Sequence, residues 1–148
     1  MDQAEILDAA IGTLLRLLTI DERRLSSNLG VVPFNPIDLE TLSYLHRFPK
    51  SLAKDVANHL GVCSTTMQSV IDRLHKRALV ARDASALKGR AVALTLTKDG
   101  MAFREHIQGQ NIANCEQMLA YINESERDMF VKNMTTIAVR YSNKMVQG

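Results

Sequence analysis

Tryptophan is absent and aromatic residues make up only 5% of the chain, so no core can rest on large rings; Leu, Ile, Val, Ala and seven Met must supply it, a composition that suits helix packing. Only two cysteines occur, Cys63 and Cys115, far apart in sequence, and no charged-then-apolar leader opens the chain, so free thiols in a reducing cytoplasm are expected. Long apolar runs are missing too. The densest, Ala9 to Ile20, is cut by Gly12, Thr13 and Arg16 and followed by "DERR", which excludes a membrane span. The chain lacks a phosphate-cradling glycine loop, HExxH, a CxxC pair and GxSxG, so an enzyme is not expected. His59 and Cys63 stand four apart without a third local ligand, while His46, His75 and His106 are scattered singly; neither metal nor cofactor is expected.

What is present is a chain of 148 residues with 46% apolar content, enough for one domain with a buried core. The net charge of +2 is too small to imply a polyanionic partner, but its distribution is uneven. Between Ser64 and Arg90 six bases face two acids, so this segment carries a surplus of four and the remainder is negative. Leu7, Ile11, Leu14, Leu15, Leu18 and Leu25 recur at helical spacing and predict a first helix from about Asp2 to Ser27. "GVVPFNP" breaks it, and Asn35 or Pro36 opens a second helix bearing Leu39, Leu42, Leu45 and Phe48. Ser51 is predicted to cap a short third helix, "LAKDVANHL", which Gly61 closes in a left-handed conformation.

In the fourth predicted helix Met67, Val70, Ile71 and Leu74 share one face, while Ser64, Thr65, Gln68, Ser69 and Arg73 fall mostly on the other. The period then changes: "LVARDA" and "AVALTLT" flank a turn-like basic "SALKGR", predicting a two-stranded ribbon. Thr97 caps a helix reaching about Tyr121, and a last helix runs from Ser125 to about Val146. A helix, a glycine turn, a helix and a basic ribbon together form the arrangement that sets one helix in a DNA major groove. The spacing is specific. From Ala53 the pattern asks for a small residue four later (Ala57), glycine eight later (Gly61), and apolar residues at Val56, Leu60, Val62, Met67 and Val70; all are present.

Through "LAKDVANHLGVCSTTMQSVIDRLHKRALVAR" and "GRAVALTLTKDG" the chain resembles the MarR family of winged-helix transcriptional regulators, and the resemblance covers nearly its whole length. It implies a mainly α fold with a small β wing, organised as a single domain over residues 1–148. Residues 36–97 would form the winged helix-turn-helix, with a recognition helix over about 64–77 and the wing over about 80–96. Residues 98–121 would form a connecting helix, and 1–30 with 122–148 a dimerisation region. It further implies a homodimer on a pseudo-palindromic double-stranded operator, acting as a repressor that a small aromatic effector relieves. Carried over by residue, Ser64, Thr65, Thr66, Gln68 and Ser69 face the groove, with Arg73 near a phosphate and Lys88 and Arg90 on the wing. Tyr44, His46, Arg47 and Phe48 are the effector-pocket candidates.

Two positions depart from the family pattern. Lys88 stands where the family commonly has an Asp that ties the wing down, and Ala78 where it usually has Gly after the recognition helix, at a cost of ~1 kcal/mol if left-handed. Two other readings stay open: a winged-helix dimer that serves as a protein-interaction module without DNA binding, and a thiol-based redox regulator acting through Cys63 at the start of the recognition helix. Cys115 is expected to pack between helices.

Overall fold

A computed structural model describes residues 1–19, 35–88 and 91–147, with side chains described at 1–18, 35–83 and 92–144. The chain divides into two units, Met1–Pro36 and Ile37–Gly148. In the first, α1 spans Gln3–Thr19; the predicted continuation to Ser27 lies outside the described residues. Asp2 and Glu5 close its start reciprocally: Asp2 Oδ1 accepts from the Glu5 amide at 2.9 Å, and Glu5 Oε2 accepts from the Asp2 amide at 2.8 Å. This pair satisfies two of the amides that every helix start leaves open.

The second unit is the winged helix. Helix α2 (Pro36–Arg47) begins on a proline, whose fixed φ and missing N–H suit a first helical position. It buries Leu42 and Leu45 together with two polar residues, Asp38 and Thr41. The Thr41 hydroxyl donates to the Ile37 carbonyl at 2.8 Å, which satisfies it inside the core. Helix α3 (Ala53–Leu60) buries Val56 and Ala57, and Gly61 ends it at φ 68°, the left-handed value that the sequence predicts. The small Ala57 admits the following helix closely, and the Val62 amide returns to the Ala57 carbonyl at 3.1 Å to make the turn.

Ser51 is not the cap of α3. Leu52 occupies that position without a side-chain cap, because Ser51 is engaged elsewhere: its hydroxyl donates to the Phe48 carbonyl at 2.6 Å and its carbonyl accepts the Leu94 amide at 2.8 Å. Ser51 therefore stitches the helix-turn-helix to the sheet instead of starting a helix.

Helix α4 (Ser64–Lys76) sets Met67, Val70, Ile71 and Leu74 into the core, each no more than 1% exposed, at about 2 kcal/mol of burial apiece. After Arg77, Ala78 adopts φ 58°, in the left-handed region. The strands β1 (Val80–Lys88) and β2 (Ala91–Leu96) pair antiparallel from Val80 opposite Leu96 to Asp83 opposite Ala93. The register shifts between Asp83 and Lys88. Thr97 caps α5 (Lys98–Ala120) as predicted, its hydroxyl oxygen accepting the Gly100 amide at 2.9 Å and its O–H donating to the Ala78 carbonyl at 2.6 Å. Gly100 passes so near Leu79 that a Cβ would strike the Leu79 carbonyl. Phe103 and Ile107 carry α5 into the core, and the Arg77 guanidinium lies 4.9 Å over the Phe103 ring.

Helix α6 (Glu124–Gln147) follows a short break. Arg127 closes that corner by donating to the carbonyls of Leu119 and Ile122 at 2.9 and 3.1 Å. No helix among the described residues is long and apolar enough to cross a membrane.

Candidate nucleic-acid interface

The outward face of α4 is built almost wholly of short polar side chains. Ser64, Thr65, Thr66, Gln68 and Ser69 are all exposed, while the residues between them are locked into the core. That buried half fixes the helix in rotation, so the polar half cannot turn inward. The start of α4 carries no acidic residue in its first turn, so no side-chain charge there opposes the positive end of the helix.

Farther along, the face becomes a network. Gln68 Nε2 donates to Asp72 Oδ1 at 2.9 Å, and Arg82 Nη2, reaching across from β1, donates to the same oxygen at 2.8 Å. Both Asp72 and Arg82 are substantially exposed. Sequence reasoning named Gln68 but missed Asp72 and Arg82; the four-residue interval from Gln68 to Asp72 was the signal available for the first. The link to Arg82 depends on how β1 turns back along α4, which spacing does not encode.

Arg73 stands apart from its neighbours. Its Nη2 donates to Asp38 Oδ1 at 2.7 Å, and the Asp38 side chain is only 4% exposed against 42% for Arg73. A buried carboxylate needs a cation, so Arg73 ties α4 to the first turn of α2 while part of its side chain still reaches solvent. Asp38 was invisible to sequence reading, since an acid in a first helical turn is ordinary on a surface.

On the wing, the backbone of Lys88 pairs with Ala91 in the ribbon, and its side chain lies outside the described residues, as does Arg90 altogether. Cys63 is exposed at the N-cap of α4, with Sγ 3.2 Å from the Thr66 hydroxyl oxygen. The Thr66 hydroxyl first, and then amides at the helix start, hold the thiol below its ordinary range against a small opposing effect of desolvation. Cys115, expected to pack between helices, is instead exposed on α5.

Three of the four effector candidates share a shallow groove of about 270 Å³. Tyr44, Arg47 and Phe48 line it with Leu39, Glu40, Ser43, His59 and Leu60. The Tyr44 ring lies 5.0 Å from Phe48 and 4.9 Å from His59, and the Arg47 guanidinium 5.3 Å over Phe48. His46 is exposed and does not line this groove. Among the described residues no group of three or more His, Cys, Asp or Glu could hold a metal ion.

No protein-family model matches the chain. Among curated proteins it is 27% identical over 124 residues to the HTH-type transcriptional repressor Rv2887 of Mycobacterium tuberculosis, an alignment covering 83% of this chain and 89% of that one. Among solved structures it is similar to Streptococcus pneumoniae FabT in complex with DNA, at TM-score 0.75 and 18% identity over 95% of each chain. It is also similar to the PcaV transcriptional regulator of Streptomyces coelicolor in complex with its natural ligand, at TM-score 0.60 and 24% identity, covering 91% of this chain and 88% of that one.

Proposed function

The fold being the winged helix of MarR-type regulators, we propose that the chain is a sequence-specific regulator of transcription that binds double-stranded DNA as a homodimer and represses. The observation that carries this reading is the rotational locking of α4: a face of Ser64, Thr65, Thr66, Gln68 and Ser69 is held outward by four fully buried apolar residues, beside a two-stranded wing. Short hydroxyl and amide side chains on a rigid rod suit base edges and phosphates at major-groove distance, where each good base contact is worth ~1–3 kcal/mol of discrimination. Lys88 and Arg90, from the wing, would add phosphate attraction and minor-groove reach. Arg73, half committed to Asp38, would touch phosphate only with its solvent-facing part.

The dimer is proposed from exposed apolar faces. On α1, Leu7, Ile11, Leu14 and Leu18 are 38–57% exposed, and on α6, Met134, Ile137 and Tyr141 are 48–68% exposed, apolar faces that a two-fold contact would cover. A cytoplasmic setting accords with the free thiols. Effector binding is proposed for the groove of Tyr44, Arg47 and Phe48, whose tilted rings suit a small aromatic molecule.

Selection of bound fragments from random duplex DNA tests the reading. An enriched palindrome with half-sites about one helical turn apart, bound more weakly as salt rises, is the expected result. Enrichment of nothing at low ionic strength would leave the interaction-module reading in its place.

A further inference from the structure

We propose that Asp72, clamped by Arg82, is a positioning residue that fixes which way the Gln68 amide faces and so sets the base that Gln68 reads. This rests on the DNA-binding reading above. The geometry is a three-part chain across two elements: Gln68 Nε2 to Asp72 Oδ1 at 2.9 Å, and Arg82 Nη2 to that same oxygen at 2.8 Å.

A carboxylate only accepts hydrogen bonds, so the amide must turn its nitrogen toward Asp72; the flipped amide would set oxygen against oxygen. One of the two N–H bonds of Gln68 is thereby used. The proposed clamp gives Asp72 the hydrogen trans to Oε1, which leaves the one on the Oε1 edge beside that oxygen. A donor next to an acceptor is the pattern that an adenine edge answers in the major groove, with N7 accepting and N6 donating. Holding the amide before DNA arrives also lowers the ordering cost of a long side chain on binding.

The clamp answers a second question, why an acid stands on a face meant for a polyanion. Arg82 neutralises Asp72 at contact distance, so the pair adds no net negative charge to the surface. Both side chains are exposed, 40% for Arg82 and 59% for Asp72, and a pair so wet stabilises the fold little. Its worth is orientation. Arg82 lies on β1, so the wing strand and the recognition helix together determine one side chain's reading.

The test uses the full chain and its selected duplex, varied through all four base pairs at the position that Gln68→Ala relaxes. The wild type is expected to prefer A·T there by about tenfold, and Asp72→Ala to lose most of that preference while other positions and the melting temperature hold. Added to Gln68→Ala, Asp72→Ala should change nothing further at that position. Arg82→Ala should blunt the preference and also weaken every duplex, since it bares the carboxylate. Asp72→Asn, which preserves size should the alanine variant fold poorly, should blunt the preference as well, because its amide can meet Gln68 in either orientation. An Asp72→Ala protein that binds all duplexes more weakly by one factor with its preference intact overturns the inference. So does a Gln68→Ala protein that relaxes no position. A wild type without any sequence preference overturns the DNA reading itself, a distinguishable result.

Discussion

At the residue scale, the side chains on the outer face of α4 differ in how free they are to meet DNA. Ser64, Thr65 and Ser69 stand exposed, whereas Gln68 is held by Asp72 and Arg73 by a buried Asp38. Residue type and helical period were enough to name Gln68 and Arg73, but their partners lie four and thirty-five residues away. The longer interval is set by how α2 packs, so no local pattern reveals it. Cys63 is a sharper case. Its thiol faces the Thr66 hydroxyl and the open amides of a helix start, all of which stabilise the thiolate and lower the pKa. The thiolate fraction therefore grows at a lower pH than for a free cysteine. Alkylation of Cys63, followed by mass spectrometry across pH, should reach half its maximal rate below the midpoint of a cysteine peptide, and the alkylated protein should bind its duplex more weakly. A midpoint at or above the peptide's would remove the basis for redox control at this position.

At the element scale, the junction after α4 shows what one left-handed residue does. Ala78 sits at φ 58°, where its Cβ crowds the following carbonyl at a cost of about 1 kcal/mol. The conformation persists because three bonds converge on the corner. The Leu79 amide returns to the Leu74 carbonyl at 2.9 Å, the Thr97 amide meets the Leu79 carbonyl at 3.1 Å, and the Thr97 hydroxyl holds the Ala78 carbonyl at 2.6 Å. Gly100 belongs to the same corner, since any side chain there would strike the Leu79 backbone. Ala78→Gly should raise stability by about 1 kcal/mol, read as a higher urea midpoint at unchanged slope. A lower midpoint would mean that glycine's added freedom in the unfolded chain outweighs the relief. The Thr97 cap was legible in the sequence, since it is a local backbone requirement, whereas the left-handed turn at Ala78 was open there, an alanine standing where the resemblance implies glycine. The failed expectation, Ser51 as a cap, has the opposite cause: a sheet contact from Leu94, more than forty residues away, recruited its backbone.

At the scale of the whole molecule, charge and apolar surface are unevenly spread. The positive surplus lies between Ser64 and Arg90, the segment that holds α4 and the wing, while the apolar excess lies on the exposed faces of α1 and, separately, α6. In the proposed dimer, two copies presenting basic faces to one duplex would gain by avidity as well as by phosphate contact. A charge placed in the proposed dimer face, as in Ile137→Glu, should convert a sedimenting dimer to a monomer and weaken operator binding about a hundredfold, while helical content in the winged unit is retained. A wild-type monomer, or a charged variant that stays dimeric with full affinity, would sink the two-fold arrangement.

What the amino-acid order alone determined are features with short range: helical and strand periods, the glycine that ends α3, the threonine that starts α5, the basic ribbon, and the hydroxyl-rich face of α4. These follow from backbone sterics and from the burial of one side of each element, which neighbouring residues settle among themselves. Tertiary structure alone decided which of the outward side chains are free. The pairing of Arg73 with Asp38, the reach of Arg82 from β1 to Asp72, and the diversion of Ser51 into the sheet all need two separate elements within 3 Å, a distance that packing of the core sets and sequence spacing does not.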